Sequence, residues 1–226
     1  MPDIKVLIVD DEEDILDLLE YNLEKEGYQV LRAMDGEEAI EIAKREKPQM
    51  ILLDIMMPRL DGIETCRRLR QLPGMDNVYI VFLTARSEEY SELAGFEAGA
   101  DDYISKPIKP RVLLSRLKAI MRREPNMEDN ELIRIHDLEI IKDEYLVKKG
   151  GEPLSLPRKE FELLYFLASR PGKVFRREEL LEKIWGDVFV VDRTIDVHVR
   201  KLREKIGEHY IVTIKGVGYK FLSPDN

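Results

Sequence analysis

The chain has 226 residues, with 45 Asp+Glu against 36 Lys+Arg, a formal net charge of −9 and 44% apolar residues. That length holds two domains of ordinary size, each with its own core, and no apolar run approaches the roughly 18 residues of a membrane span, which argues against a membrane protein. The lone Cys66 cannot form an internal disulfide, and MPDIKVLIVDD lacks the basic and apolar regions of an export signal, so a cytoplasmic protein is expected.

From the N-terminus, strand-sized apolar runs alternate with amphipathic segments. KVLIVD reads as a buried strand, and DILDLLEYNLEKEG as a helix with Ile15, Leu18, Leu19 and Leu23 on one face and Gly27 as its stop. YQVLRA, QMILLDI, YIVFLT and DYISKP supply four more strands, separated by the helices DGEEAIEIAKREK, GIETCRRLRQL and SEEYSELAGFEAG and followed by PRVLLSRLKAIMRR. Five β-α pairs with continuously apolar strands predict an α/β, doubly wound, five-stranded parallel sheet over residues 1–123. Polar EPNMEDNE, residues 124–131, reads as a linker. Residues 132–226 form a second, α+β domain: short strands in LIRIHDLEIIKDEYLVKKGGEPLSL, three helices in PRKEFELLYFLASRPG, RREELLEKIWG and DRTIDVHVRKLREKIG, and a terminal hairpin in YIVTIKGVGYKFL.

Charge is divided unevenly between the halves. Residues 1–124 carry 26 Asp+Glu against 18 Lys+Arg, whereas Arg193 to Lys220 carries seven Lys+Arg against three Asp+Glu. An acidic total therefore does not exclude nucleic-acid binding by one basic element.

In an open parallel sheet, ligands bind at the carboxyl ends of the strands. That edge collects Asp10 and Asp11 after the first strand, Asp54 after the third, Thr84 after the fourth and Lys106-Pro107 after the fifth. Any one of these fits a cap or a turn; as a set they fit phosphoryl transfer. Clustered carboxylates repel unless a cation lies between them, and Mg²⁺, with Mn²⁺ as an alternative, takes one or two carboxylates while keeping waters. An Asp carboxylate is a competent nucleophile toward phosphorus, while an ammonium and a hydroxyl suit the transferred oxygens. Neither a GxxxxGK[ST] loop nor a GxGxxG turn is present, so a nucleotide is not expected.

Taken together, VDDEED, LLDIMMPRLDG, FLTA and GADDYISKP resemble the receiver domain of two-component response regulators over about residues 3 to 123. The resemblance implies a flavodoxin-like strand order 2-1-3-4-5 and a phosphoryl acceptor at Asp54 served by a sensor histidine kinase. It implies Mg²⁺ held by Asp10, Asp11, Asp54 and the Met56 backbone carbonyl, with Lys106 on the phosphoryl group and a cis bond before Pro107. It further implies that Thr84 moves toward the phosphate as Tyr103 swings inward.

On a helical wheel of Thr194 to Ile206, Ile195, Val199, Leu202 and Ile206 form one apolar stripe. Thr194, Val197, His198, Lys201, Glu204 and Lys205 fall opposite it, with Arg200 and Arg203 at the flanks. An exposed Val197 among bases suits a thymine methyl. Trp185 is read as a core or positioning residue. LPRKEFELLYFL, RREELLEKIWG, DRTIDVHVRKLREKI and TIKGVGYKF resemble the winged-helix effector domain of the OmpR/PhoB family. This implies a recognition helix in the major groove of promoter DNA and contacts from Arg177, Arg193, Thr194, Val197, His198, Arg200, Lys201, Arg203, Thr213 and the wing residue Lys215. In relatives the loop Gly186 to Val191 touches RNA polymerase.

The family resemblance also implies a phosphorylation-dependent homodimer through the fourth helix, fifth strand and fifth helix, with Glu97, Asp101 and Asp102 facing Arg116, Lys118 and Arg123. Glu92, Val112 and Ile108 depart from the usual pattern there, which removes one ion pair. Two further readings are a receiver coupled to an enzymatic output, disfavoured by a second half with no catalytic cluster, and a phosphorylation-independent DNA binder, disfavoured by the complete acidic set. The protein is therefore read as a non-enzyme that takes part in phosphoryl transfer to its own Asp54.

Overall fold

The computed structural model describes residues 4–84, 89–122, 132–186 and 193–222. The chain divides into two compact units, Met1–Arg123 and Glu124–Asn226. The expected linker at 124–131 lies outside the described residues.

The first unit is a parallel sheet of order β2-β1-β3-β4-β5, made of β1 Lys5–Val9, β2 Gln29–Ala33, β3 Met50–Asp54, β4 Tyr79–Thr84 and β5 Asp102–Ser105. Its helices are α1 Glu13–Lys25, α2 Gly36–Glu46, α3 Gly62–Arg70, α4 Glu89–Ala98 and α5 Pro110–Arg122. Every residue of β3 and β4 is buried, as it must be when both faces of a strand are covered. One face packs Leu7, Val9, Ile51, Leu53, Ile80 and Phe82; the other packs Val6, Ile8, Leu52, Val81 and Leu83 with Leu16 and Leu19 of α1 and Leu113 and Leu117 of α5. Each such aliphatic side chain contributes about 1.5–3 kcal/mol on burial.

The helix starts at the functional edge follow from local chemistry. Asp35 and Asp61 open the D-G-x-E sequences before α2 and α3, and their carboxylates accept from the amides of Glu38 and Glu64 at 2.9 and 2.8 Å. Gly62 has no room for a side chain, since a Cβ there would stand 2.0 Å from the Asp54 carbonyl oxygen. The third helix can therefore begin directly against the end of β3.

The second unit opens with an antiparallel sheet of β6 Leu132–Ile135, β7 Leu138–Ile141, β8 Leu146–Lys149 and β9 Glu152–Leu154, in that order. The helices α6 Arg158–Ala168, α7 Arg177–Ile184 and α8 Arg193–Ile206 follow. The terminal hairpin, β11 Ile211–Ile214 and β12 Gly218–Phe221, belongs to a larger sheet: β10 Val174–Arg176 pairs with β12, giving the order β10-β12-β11. A Cβ at Gly218 would stand 2.0 Å from Phe175 O, so that close pairing requires glycine. The apolar stripe of α8, Ile195, Val199, Leu202 and Ile206, enters a core with Leu163, Leu164 and Leu167 of α6, Leu180 and Ile184 of α7, and Phe175, Ile211 and Phe221.

Candidate functional site

Four strands of the first unit bring their last or following residues to one edge, because parallel strands place their carboxyl ends together. Asp10, Asp11 and Asp54 have carboxylate oxygens all within 4.8 Å of one another. Asp10 and Asp54 are buried, at 0% and 3% exposure, while Asp11 is exposed. Lys106 reaches in from beyond β5, its Nζ 2.8 Å from Asp10 Oδ2, 2.9 Å from Asp54 Oδ1 and 3.7 Å from Glu12 Oε1. The Met56 amide donates to Asp54 Oδ2 at 2.8 Å, and the Glu12 amide to Asp10 Oδ1 at 3.1 Å. Thr84 is buried at the end of β4, and its carbonyl accepts from the Lys106 amide at 2.6 Å. The Lys106-Pro107 bond is cis.

Burial holds the Asp54 carboxyl above its ordinary value; Lys106 opposes this and Asp10 reinforces it. Burial alone would lower the Lys106 ammonium, but the carboxylates of Asp10 and Asp54 bring it out above its usual range. One ammonium thus faces a crowd of carboxylates and does not balance it. Asp10 Oδ2 is buried and has the Lys106 ammonium at 2.8 Å. Three hard oxygen donors gathered around a single ammonium match the donor set a divalent cation such as Mg²⁺ selects. Tyr103 packs edge-on against Phe96, with centroids 5.9 Å apart, and lines a small cavity with Thr84, Phe82, Ile55 and Asp102.

The acidic residues expected on the face of α4, β5 and α5 are placed differently from that expectation. Asp101 is fully buried: its Oδ2 accepts from Arg70 at 2.7 Å and from the Ile80 amide at 2.8 Å. Asp102 is 2% exposed and accepts from the Tyr103 amide at 2.7 Å. In this structure both carboxylates are buried and accept from donors of the same unit. Glu97 is exposed, Arg116 donates to the Tyr103 carbonyl at 2.7 Å, and Lys118 pairs with Glu26, the residue that follows α1. Val112 is exposed and Ile108 joins the core. Arg123 and the side chain of Glu92 lie outside the described residues.

In the second unit, α8 buries more than its apolar stripe. Thr194 and His198 are 1% exposed and Val197 6%, so none of the three is open to a groove in this structure, and their expected exposure is corrected. Helix α8 also packs on α6 and α7. Lys205 and Lys201 reach the buried Glu160 of α6 at 2.8 and 3.9 Å, and the His198 ring lies 5.0 Å from that of Trp185 after α7. Burial, followed by the fields of Lys201, Lys159 and Lys205, lowers His198 to about 3, so it is neutral at physiological pH and is not a cationic phosphate contact. Trp185 is a core residue, 2% exposed.

The remaining predicted contacts are accessible to different degrees. Arg200 is exposed and pairs with Glu204 at 2.7 Å, and Thr213 and Lys215 are exposed on and beside β11. Arg203 spends its Nε and one terminal nitrogen on the Ile211 carbonyl at 3.0 and 2.7 Å, and reaches Thr213 Oγ1 at 2.8 Å. Arg177 pairs with Asp196 at 2.8 Å. Sequence reasoning missed Asp196 and Tyr219, which both meet Arg177; an acid in the first turn of a basic helix was the available signal. The side chain of Arg193 and residues 187–192 lie outside the described residues.

A parallel α/β unit with this acidic edge, followed by a helical unit flanked by antiparallel sheets, defines a response regulator with a receiver and a DNA-binding output domain. Residues 6–118 match the response regulator receiver domain, and residues 151–221 match the family described as transcriptional regulatory protein, C terminal. The chain is 46% identical over 235 residues to the alkaline phosphatase synthesis transcriptional regulatory protein PhoP of Bacillus subtilis (strain 168), covering 97% of each. Among solved structures it resembles DrrB, a Thermotoga maritima OmpR/PhoB homolog, with 37% identity, 98% of this chain and 100% of that one covered, and a TM-score of 0.52. It also resembles a RitR mutant, with 28% identity, 97% and 99% coverage and a TM-score of 0.78. The chain belongs to the OmpR/PhoB family of response regulators. Among the described residues, no helix is long and apolar enough to cross a membrane.

Proposed function

We propose that this chain is a transcription regulator switched by phosphorylation of Asp54. A sensor histidine kinase is the donor: an Asp54 carboxylate oxygen attacks phosphorus in line, the phosphorus–nitrogen bond to the donor imidazole breaks, and an acyl phosphate forms. Asp10, Asp11 and Asp54, with the Met56 carbonyl, would hold Mg²⁺, which when bound supplies charge neutralisation for the phosphoryl oxygens. Lys106, between Asp10 and Asp54, supplies a second positive charge, and the Met56 amide keeps Asp54 oriented. Thr84 then turns toward the phosphoryl group, and Tyr103 moves into the cavity beside it. The observation that carries this reading is the buried Asp54 carboxylate, held by Met56 and faced by Lys106 at 2.9 Å within the Asp10–Asp11 cluster.

The activated chain pairs with a second copy through α4, β5 and α5, using exposed Glu97 and the cationic Arg116 and Lys118, and binds double-stranded promoter DNA. Arg177, Arg193, Arg200, Lys201, Arg203, Thr213 and Lys215 supply the DNA contacts, and the loop at 186–191 is the surface for RNA polymerase. The cytoplasm is the compartment for such a protein.

Intact mass after treatment with acetyl phosphate and Mg²⁺ tests the phosphoacceptor: an adduct on the unmodified chain and none on Asp54→Asn is expected. An adduct that persists in Asp54→Asn, or none on the unmodified chain, overturns the reading. Selection of bound duplexes from random DNA tests the output.

A further inference from the structure

We propose that Asp196 and Tyr219 are positioning residues that fix the Arg177 guanidinium for a DNA phosphate, a role that rests on the DNA-binding reading above. Three elements meet at this point: Arg177 opens α7, Asp196 lies in the first turn of α8, and Tyr219 lies on β12. Asp196 Oδ1 accepts from Arg177 Nε at 2.8 Å and from the Tyr219 hydroxyl at 2.6 Å. A terminal nitrogen of Arg177 reaches the same hydroxyl at 3.4 Å. The Arg177 and Arg203 guanidinium carbons lie 5.0 and 5.8 Å from the centroid of the Tyr219 ring, within cation–π range.

The arrangement uses the inner side of the Arg177 fork and spares the outer one. A guanidinium has five N–H groups. Nε–H goes to Asp196 and one terminal nitrogen to Tyr219, which leaves the other terminal nitrogen, Nη1, with no acceptor among the described residues. The Arg177 side chain as a whole is 26% exposed. A phosphate is the ligand that such a planar fork suits. Holding the arginine in advance removes the ordering cost of a long flexible side chain at the moment of binding.

An acid on a basic DNA-reading helix gives this role a distinctive sign. Asp196 is itself 45% exposed, and its charge repels a polyanion. If it served only to favour the positive end of α8, its removal would relieve repulsion and tighten DNA binding. A positioning role requires the opposite.

The test measures anisotropy of a labelled duplex, recovered by selection from random DNA with the unmodified, acetyl phosphate-treated full-length chain. Asp196→Ala is expected to weaken binding about 3- to 10-fold, the scale of one immobilised side chain, although it removes a negative charge. Asp196→Asn, which keeps an acceptor oxygen, restores part of the loss. In an Arg177→Ala background, which itself lowers the salt slope by about one, Asp196→Ala costs nothing further. Tyr219→Phe keeps the ring and its packing, and weakens binding in the same direction by a smaller factor, also only when Arg177 is present. Equal or tighter binding by Asp196→Ala, or an undiminished effect without Arg177, overturns the proposal. A chain that retains no duplex at all overturns the DNA-binding reading itself, and the positioning role with it.

Discussion

Lys106 places its ammonium 2.9 Å from Asp54 Oδ1 while also facing Asp10 Oδ2 at 2.8 Å, so one cation occupies the space between two buried carboxylates. A divalent ion drawn to those oxygens meets this positive charge. Lys106→Met is therefore expected to bind Mg²⁺ more tightly, by roughly 3-fold or more for a partly screened charge pair, while losing acyl-phosphate formation. Thermal melting against Mg²⁺ concentration measures the first effect through ligand-linked stabilisation. An unchanged Mg²⁺ midpoint would place Lys106 outside the ion's field.

Asp54 has its folded pKa raised by burial, an effect that Lys106 only partly offsets. A carboxyl whose folded pKa lies above its unfolded value favours the folded state when protonated, and loses that contribution as pH rises through the folded pKa. At neutral pH its charge is destabilising. Asp54→Asn is accordingly expected to stabilise the chain by roughly 1 kcal/mol at pH 7, the scale of a typical single substitution, with the gain shrinking at acid pH. Urea melts at two pH values check both the sign and the trend.

Arg70 closes a different circuit. Its guanidinium donates to the carbonyls of Gly99, Met75 and Val78 and to Asp101, tying the end of α3 to the approaches of β4 and β5. The Arg70–Asp101 pair is buried, with side-chain exposures of 8% and 0%. Asp101→Ala leaves a buried guanidinium uncompensated and is expected to cost about 3–5 kcal/mol of stability. Glu97→Ala, on an exposed residue, is expected to change self-association after phosphorylation and to leave stability within about 0.5 kcal/mol. Denaturation paired with sedimentation equilibrium separates the two, and an Asp101 variant of normal stability would refute the internal role.

His198 gives the second unit an acid-sensitive point. Its unfolded pKa is near 6.5 and its folded value about 3, so between those limits the unfolded chain binds more protons. Stability from this residue is present above pH 6.5 and is lost as pH falls toward 3, at up to about 1.4 kcal/mol per pH unit. His198→Gln should flatten stability against pH across that window. A profile as steep as that of the unmodified chain would exclude a buried neutral imidazole.

The receiver edge was legible because each element announces its own end: an apolar strand run stops at Asp10, Asp54 or Thr84, and a shared topology brings those stops together. The caps at Asp35 and Asp61 are equally local, each carboxylate accepting from the amide three residues on. The Arg70–Asp101 pair was not legible, because Arg70 is one of three arginines on α3 and its partner is 31 residues away. The second buried side of α8 was hidden too. It includes the polar Thr194 and His198, and beside it Lys201 and Lys205 reach Glu160 of α6, which a wheel of α8 alone cannot display. Strand β10, three residues long, is below the length at which alternation can be read.

That short strand changes what the wing is. Because β12 lies between β10 and β11, the hairpin is anchored along both sides of its final strand, and β10 runs straight into α7. The span from the α7 start through the Tyr219 contact to the Lys215 turn is thus set by backbone pairing and not by a pliant loop. On the DNA-binding reading, the protein behaves as a fixed gauge, and any adjustment of groove spacing falls on the duplex. Sites of equal base content should then rank by how cheaply their steps bend or narrow.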